Sequence, residues 1–424
     1  MHLGVHGTGH LGTLVSACLA DFGLPVTCFD QDEQRTLRLA EGSVAYHEKN
    51  LTEMVRRNVR AGRLTYSTDL ASFSRRADVI FLAEDTHRYI EEVALQIAAG
   101  ANPRSILAVV TPVPVGTAAR IESRIKAAGI DMTVVSHPLF LTDGCAVEDF
   151  NWPDRILLGT SSSEAVLAMK EIYRPLLMRG VPVIVTSTQT AELVREASTA
   201  FVATKIAFIN EVATLCERVE ADAVDLAMAL GLDKRIAPRC LQPGAGFGGP
   251  FVESEMEALA QLAYGNGVSL KVLGAAREVN QGQSDRIADK ISLLLETIPD
   301  KSVSILGLAF KPHTSSVASS SSIQLAKRLL TAGAHVRAYD PVALSAAKAE
   351  LNGSKRLHYF ETAYEAAESA DVLVVGTAWP EFRSLDFERI KRGLKRALVV
   401  DTKNLLDGVY LRALGFEYVG VGRS

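Results

Sequence analysis

Cysteine is scarce in this sequence of 424 residues, which contains five cysteines and no pair with the C-x-x-C spacing. An odd number of widely spread cysteines does not form a disulfide framework, and without paired ligands a zinc site is not expected either. We therefore expect reduced thiols, a cytoplasmic protein and no bound metal. The five residues are Cys18, Cys28, Cys145, Cys216 and Cys240.

An excess of charge of one sign is also missing, and so are long apolar runs. The net charge is -4 at pH 7, with 22% charged and 48% hydrophobic residues. Such a chain lacks the basic surface that nucleic-acid binding requires and has the composition of an ordinary globular protein of two or three domains. No basic segment precedes the first apolar residues and no apolar run approaches about 18 residues, so we expect neither export nor a membrane.

Glycine and proline are absent between residues 182 and 231. Apolar residues recur there at helical spacing, Glu192 suits a first turn, and Thr188 or Thr190 can cap the start, so the pattern predicts one helix over about residues 190–217. Such a helix would be roughly 40 Å long at ~1.5 Å per residue, which is too long to bury against one small sheet. We expect it to join two α/β halves and to pack along a second copy of the chain, which gives a homodimer.

A glycine-rich turn follows the first apolar strand. It reads Gly7-Thr8-Gly9-His10-Leu11-Gly12 and leads into an apolar helix, after which a second strand ends on Asp30. In a dinucleotide-binding unit the glycines allow a tight turn, close approach of backbone to a pyrophosphate, and packing of helix on strand. Asp30 lies where a carboxylate accepts both ribose hydroxyls and would repel a 2′-phosphate, so NAD is favoured over NADP; a glycine turn without a ligand is the alternative. The predicted cofactor-binding residues are Gly7, Gly9, His10, Leu11, Gly12 and Asp30.

Alternating strand and helix patterns continue on both sides of the long helix. Each strand follows a helical stretch, as in a doubly wound parallel sheet. The expected strands lie near residues 79–82, 106–110, 132–135, 156–158, 181–185, 302–306, 336–339, 372–375 and 398–400. We therefore predict an α/β fold with two Rossmann-like doubly wound parallel-sheet domains joined by a long central helix, divided into residues 1–186, 187–298 and 299–424.

Ordered motifs along nearly the whole chain make it resemble the UDP-glucose/GDP-mannose dehydrogenase family. Besides the glycine turn and Asp30, they are Val113-Pro114-Val115-Gly116-Thr117, Pro153-Asp154-Arg155-Ile156, Ala191-Glu192-Leu193, Ile209-Asn210-Glu211, Gly231-Leu232-Asp233-Lys234-Arg235-Ile236, Gly244-Ala245-Gly246-Phe247-Gly248-Gly249, Leu306-Gly307-Leu308-Ala309-Phe310-Lys311 and Tyr339-Asp340-Pro341. The resemblance implies an N-terminal NAD-binding domain, a central dimerisation domain, and a C-terminal Rossmann-like domain that holds the nucleotide of a sugar nucleotide.

The resemblance fails at the position of the family's nucleophile. Members typically oxidise a primary alcohol to a carboxylate in two hydride transfers, through a thioester on a cysteine in the loop Gly-Phe-Gly-Gly-Ser-Cys-Phe-Pro-Lys-Asp. Here that loop spans residues 246–255, with Phe251 at the cysteine, Ser254 at the lysine and Glu255 at the aspartate. A thioester cannot form at Phe251, so we expect no four-electron UDP-glucose 6-dehydrogenase activity.

At other positions too, this chain lacks residues that the family's reaction is expected to use. Leu139 replaces a carboxylate expected to work with water, and Pro112 replaces a hydroxyl. A lysine and an asparagine four residues apart on the long helix are Arg195 and Thr199; an arginine holds an anion but is a poor base. Lys403 replaces an arginine, which keeps the charge and loses the bidentate fork.

The leading hypothesis is an NAD-dependent oxidoreductase that carries out a single two-electron oxidation of an alcohol, or the reverse reduction, on an altered substrate. One base suffices for this chemistry. We predict His137 as the base, with a packed histidine as the alternative, and Glu255 as a second acid/base candidate, while Thr199 would orient the substrate. Arg195 and Lys311 would bind an anionic substrate.

The resemblance also supplies a set of substrate-binding candidates, and Arg235 has a surface salt bridge as its alternative. They are Arg235, Phe247, Gly248, Lys311 and Lys403. Two other functions stay open from the sequence: a non-catalytic protein that binds NAD, and an epimerase that oxidises and re-reduces one carbon with bound NAD. The substrate is expected to be a small molecule and possibly a sugar nucleotide.

Overall fold

The chain divides into two compact units, Met1–Ala197 and Ser198–Ser424. The computed structural model describes residues 1–351 and 353–423. A helix that begins in the first unit ends in the second, and each unit contains one β-sheet. The division into three domains stays a prediction.

The first unit is built on a sheet of eight strands in the order β3-β2-β1-β4-β5-β6-β7-β8. Strands β1, β2, β4, β5 and β7 are buried along their whole length, which explains their continuous apolar sequences, since helices cover both faces. The strands are β1 (Leu3–His6), β2 (Val26–Phe29), β3 (Leu64–Ser67), β4 (Val79–Leu82), β5 (Ile106–Val109), β6 (Thr133–Ser136), β7 (Ile156–Gly159) and β8 (Val183–Thr186).

Nine helices of the first unit connect these strands. They are α1 (His10–Asp21), α2 (Glu33–Ala40), α3 (Leu51–Arg60), α4 (Leu70–Arg76), α5 (Ile90–Gly100), α6 (Thr117–Ala127), α7 (Ala146–Asn151), α8 (Ser163–Ile172) and α9 (Arg174–Leu177). Because β1 lies between β2 and β4, the strand order reverses there, and a crevice opens beyond the carboxyl ends of β1 and β4.

One strand pair departs from the predicted parallel sheet. Strands β6 and β7 are antiparallel neighbours joined at Ser136 and Gly159, whereas β7 and β8 are parallel to each other. The pair joins the last residue of each strand, so the carboxyl ends of β6 and β7 meet there. The connection between these strands holds the short helix α7.

The second unit contains a fully parallel sheet of six strands in the order β11-β10-β9-β12-β13-β14. The two Rossmann-like sheets and the long central helix confirm the predicted fold class. The strands are β9 (Ser302–Leu306), β10 (His335–Tyr339), β11 (Leu357–Tyr359), β12 (Val372–Val375), β13 (Leu398–Asp401) and β14 (Glu417–Gly420). The helices are α11 (Ala223–Leu232), α12 (Val252–Gly265), α13 (Lys271–Gln281), α14 (Gln283–Leu295), α15 (Ser321–Thr331), α16 (Leu344–Glu350), α17 (Ala363–Ala367), α18 (Phe387–Gly393) and α19 (Gly408–Ala413), with a 3₁₀ turn at Pro380–Ser384.

The central helix, α10, spans Thr188–Arg218. Its cap differs from the prediction: the side chain of Ser187 accepts the N–H of Thr190 at 3.1 Å, so neither threonine is the capping residue. In the described part of the chain, α10 is the one helix long and apolar enough to cross a membrane, with a mean hydropathy of 1.3 over 18 residues. Core helices of soluble proteins share this length and composition, so the finding does not assign it to a membrane.

Glu192 attaches the first turn of α10 to the start of α6. Its carboxylate is 3% exposed and accepts the N–H groups of Gly116 at 2.6 Å and Ala118 at 2.8 Å. Burial raises the pKa of Glu192, although both N–H groups and Arg120 oppose the rise. The carboxylate therefore satisfies two donors that α6 cannot pair within itself.

Replacing Glu192 by alanine should lower the free energy of unfolding of the first unit by about 1–3 kcal/mol, because two N–H groups of α6 lose their acceptor in a buried place. Glu192→Gln, which keeps one acceptor oxygen, should lose less. Urea unfolding followed by circular dichroism measures both. Glu164→Ala, at an exposed position in the first turn of α8, is the control; an equal loss there would contradict the capping role of Glu192.

Candidate functional site

The glycine turn lies at the carboxyl end of β1, in the crevice where the strand order reverses. Gly7 has a φ of 106°, a conformation that side chains with a β-carbon rarely adopt. A β-carbon on Gly12 would overlap the carbonyl of Gly7, so α1 could not pack against the strand with another residue there. Gly9 precedes α1 and has no side chain to cap the helix, so the first N–H groups of α1 take an acceptor from elsewhere.

Asp30 follows β2 at the same edge of the sheet. It accepts the N–H of Thr8 at 3.2 Å, the hydroxyl of Thr8, the N–H of Asp32 at 2.9 Å and a guanidinium N–H of Arg35 at 3.4 Å. Burial opposes its ionisation, but these hydrogen bonds hold the pKa of Asp30 below its usual value. Asp30 is thus a fixed carboxylate placed to accept ribose hydroxyls, and the residues fit an adenine dinucleotide.

Asp85, which sequence analysis did not single out, binds the start of α1. Its carboxylate accepts the N–H of His10 at 3.1 Å and that of Leu11 at 3.2 Å. Nothing in the sequence pattern connects Asp85 with a helix 74 residues earlier. The structure therefore adds a carboxylate at the position that the motif reserves for a pyrophosphate.

Glu48 is a second carboxylate that the sequence did not reveal. It is buried, accepts the N–H groups of Gly144 at 2.7 Å and Ala146 at 3.0 Å, and lies 3.7 Å from Nε2 of His10. Burial lowers the pKa of His10, but Glu48 and the charges of Asp143 and Asp85 outweigh it, so the pKa of His10 lies above its usual value. The neighbouring carboxylates therefore favour the protonated form of the imidazole beside the start of α1.

His137 packs inside the first unit. It is 2% exposed; Nδ1 donates to the carbonyl of Leu157 at 2.9 Å, and Nε2 accepts the hydroxyl of Tyr173 at 2.8 Å. Burial lowers the pKa of His137 to about 4, opposed by the hydrogen bond to Leu157. Both ring nitrogens are thus paired inside the first unit, which favours the alternative of a packed histidine; the role of His137 as a base stays a prediction.

Arg195 lies in α10 and donates a guanidinium N–H to the carbonyl of Leu139. Leu139 is partly buried against the core of the first unit, in the loop that follows β6. The contact anchors that loop to the first turns of α10. Its role toward an anionic substrate stays a prediction.

In the second unit the glycine loop packs closely against its own chain. Asn280 accepts the N–H of Phe247 at 2.8 Å and donates to its carbonyl at 3.1 Å. A β-carbon on Gly248 would overlap the carbonyl of Ser319, and one on Gly249 would lie 2.8 Å from the ring of Phe310. These glycines are required by packing within the unit as well as by any ligand.

Two predicted catalytic residues are in direct contact. The hydroxyl of Thr199 donates to Oε2 of Glu255 at 2.6 Å, and Glu255 is 9% exposed. Phe251, which the predicted resemblance aligns with the family's cysteine, is 45% exposed one turn earlier at the start of α12. The pair is a hydroxyl and carboxylate joined by a short hydrogen bond.

A cavity of about 260 Å³ lies beside the glycine loop in the second unit. Its polar lining includes hydroxyl, amide, guanidinium and carboxylate groups, and Arg328 is paired with Asp285. Residues that line it include Phe247, Gly248, Glu253, Asn280, Ser319, Ser321 and Arg328. Ser319, which precedes α15, and Ser321, the first residue of α15, are two of its hydroxyl residues.

The three predicted cationic residues of the second unit differ in their surroundings. Arg235 is 88% exposed and pairs with Asp233, with a shortest contact of 2.6 Å, as in the alternative of a surface salt bridge. Lys311 lies over the ring of Phe310, 5.6 Å from its centre. Burial lowers the pKa of Lys403 to about 8, with Asp401 opposing the shift. Among the described residues, no group of three or more His, Cys, Asp or Glu side chains could hold a metal ion.

Three domains of one known family match most of the chain. Residues 1–177 match the NAD binding domain of the UDP-glucose/GDP-mannose dehydrogenase family, residues 189–282 its central domain and residues 304–408 its UDP binding domain. The cofactor-binding prediction for NAD is confirmed by the first match.

Similar proteins cover the whole chain. UDP-glucose 6-dehydrogenase of Rhizobium meliloti is 36% identical over 100% of both chains, and that of Bacillus subtilis is 34% identical over 99% of this chain and 93% of its own length. Among solved structures, a UDP-glucose dehydrogenase from Pyrobaculum islandicum is 29% identical with a TM-score of 0.89, and covers 100% of this chain and 98% of its own. The chain therefore belongs to the UDP-glucose/GDP-mannose dehydrogenase family and uses NAD.

Proposed function

We propose that this protein catalyses a two-electron oxidation of a CH–OH group on a nucleotide sugar, or the reverse reduction, and does not proceed to a carboxylate. The observation that carries the proposal is Phe251, a hydrocarbon side chain at the position of the thiol that would bind an aldehyde intermediate. Without a covalent thiohemiacetal, the second hydride transfer has no bound precursor.

Burial makes Cys18, Cys28 and Cys216 poor replacement nucleophiles, and serine substitution tests the partly buried Cys145 and the exposed Cys240. Cys18 and Cys28 are buried in the first unit, and burial raises the pKa of each thiol, that of Cys28 to about 12. Cys216 is buried within α10, and Cys240 is exposed in the segment between α11 and α12. The proposal therefore uses no thiol.

The proton of the alcohol would pass to Thr199 and Glu255. Because the hydroxyl of Thr199 donates its own proton to Glu255, its oxygen is free to accept the O–H of a substrate. As the alcohol proton moves to Thr199, the proton of Thr199 moves to the carboxylate, and the C–O bond becomes a carbonyl. Bound NAD supplies the hydride acceptor for the hydrogen on carbon.

The substrate is proposed to be a UDP-sugar or a related nucleotide sugar. Support comes from the match of residues 304–408 to a UDP binding domain and from relatives named as UDP-glucose 6-dehydrogenases. The hydroxyl and amide groups of the cavity beside Phe247 suit a polyhydroxylated ligand, and Lys311 and Lys403 suit its phosphates.

We also propose a cytoplasmic homodimer. The five cysteines, all within the described part of the chain, form no disulfide, which suits a reducing compartment. Within the second unit, α10 exposes Phe201, Phe208 and Leu215, which recur every seven residues and lie 67%, 53% and 57% exposed. A stripe of large apolar side chains on one helix supports a second copy as its partner.

With NAD and UDP-glucose, GDP-mannose or a dTDP-sugar, we expect one NADH for each product molecule, and a product lighter by two hydrogens. Absorbance and mass spectrometry of the same reaction measure both. A Cys145→Ser/Cys240→Ser double variant should keep the wild-type rate. Two NADH per product together with a uronate would contradict the proposal. An epimerised product, or NAD binding without any turnover, would instead support the two other functions.

Thr199→Val and Glu255→Gln should each lower kcat by about 10²–10⁴, because proton removal loses its path. Binding of NAD should not change, and the double variant should lose little more than either single variant. Ser254→Ala is the matched control, since its hydroxyl only binds carbonyls of Pro250 and Phe251 at the start of the same helix. Wild-type kcat in both single variants would exclude the pair.

Phe208→Glu should convert the dimer to a monomer, because a charge replaces a large apolar side chain at the centre of the stripe. Sedimentation equilibrium measures the mass. Val409→Glu, at a position that is 75% exposed in α19, should leave the dimer intact. A monomeric wild type, or a dimeric Phe208→Glu variant, would contradict this interface.

A further inference from the structure

Asp85 and the cofactor's pyrophosphate require the same N–H groups. The G-x-G-x-x-G turn presents the start of α1 to a pyrophosphate, and the second glycine keeps the approach open. Here both carboxylate oxygens of Asp85 bind the N–H groups of His10 and Leu11. A β-carbon on Gly9 would overlap this carboxylate. The carboxylate of Asp85 therefore occupies the space that a side chain at position 9 would fill.

The segment that carries Asp85 lies between two anchored positions, Glu84 and the buried Ile90. Glu84 is held by its N–H to the hydroxyl of Thr111 at 2.8 Å and by its carboxylate to Nδ1 of His6 at 2.7 Å. Residues 85–89 are all exposed, and α5 begins at Ile90. The hydrogen bonds found for residues 86–90 in the described part of the chain are local, such as Arg88 to Thr86 at 3.3 Å. The contact of Asp85 with α1 is thus what holds this segment over the turn.

We propose that Asp85 is a built-in competitor for the pyrophosphate, so that residues 85–89 must move away from α1 before NAD binds. A carboxylate and a pyrophosphate are both stabilised by the positive end of a helix, and their negative charges exclude each other from it. Displacement leaves the anchored Glu84 in place and exchanges one anion for another at the same donors. The inference rests on the NAD cofactor and is independent of the substrate.

Other charged groups near the start of α1 set the balance of this exchange. Nε2 of His10 lies 3.7 Å from the buried carboxylate of Glu48, and the charges of Glu48, Asp143 and Asp85 raise the pKa of His10. The protonated imidazole favours either anion, whereas the charges of Glu48 and Asp143 disfavour a pyrophosphate and also Asp85. Only Asp85 is itself bound to the donors, so removing it changes the competition directly.

Asp85→Ala should bind NAD⁺ on the order of 10-fold more tightly than the wild type, since the apparent affinity rises when the competing state is removed. Asp85→Asn, which keeps an acceptor oxygen but loses the charge, should show a smaller gain. Isothermal titration calorimetry with NAD⁺ measures the affinity. Adenosine, which has no phosphate, should bind all three proteins equally.

Thermal melting provides a second readout. Without NAD⁺, Asp85→Ala should melt below the wild type because the N–H groups of α1 lose their acceptor, and saturating NAD⁺ should raise its melting temperature by more. Asp69→Ala removes a comparable helix cap, from Ala71 and Ser72 of α4, and should lower the melting temperature without changing NAD⁺ affinity.

Three results would overturn the proposal. These are unchanged or weaker NAD⁺ binding in Asp85→Ala, an equal gain for adenosine, and absence of NAD⁺ binding in wild type and variant alike. The titration contains no sugar nucleotide, so a failure of the proposed reaction would leave this outcome unaffected.

Discussion

The structure depends on hydrogen-bond acceptors for backbone N–H groups at one edge of each sheet. This is the edge where the parallel strands end. Helices start there, and each start leaves donors that the helix cannot pair. Carboxylates from distant positions supply the acceptors: Glu192 binds α6, Glu48 binds the start of α7, and Asp85 binds α1. In the second unit, Asp340 accepts the N–H groups of Leu308 and Ala309 after β9. The same requirement stabilises the fold and creates the anion site.

The strands and helices most accurately predicted from sequence have a uniform pattern along their length, either continuous burial or freedom from glycine and proline. Buried strands have continuous apolar runs, and the helix without glycine or proline was found within a few residues of its ends. The strands that were missed, β3, β11 and β14, are edge or outer strands with exposed or half-buried residues, so their sequences lack such runs. The glycine turn and Asp30 were predictable because their spacing along the chain is local.

Contacts between distant residues could not be predicted in the same way. His137 lies at the end of a strand, where a base is expected, but its burial by Tyr173 depends on packing that no local pattern encodes. Asp85 and Glu48 reach α1 from separate loops. Conversely, the contact between Thr199 and Glu255 joins two positions that the family resemblance had already singled out, because a motif records residues that act together even when they lie far apart in sequence.

The carboxylate at the start of α1 also bears on which anions the protein can take up. Inorganic phosphate is abundant in cells and binds readily to exposed helix starts. A free phosphate would have to displace Asp85 with its charge alone, whereas a dinucleotide also offers ribose hydroxyls to Asp30. The glycine turn, with Asp85 bound to it, would then disfavour small anions. It would favour a ligand long enough to displace Asp85 and also to contact Asp30. Asp85 weakens the binding of every anion at the start of α1. Only a dinucleotide has the additional contacts that offset this loss of affinity.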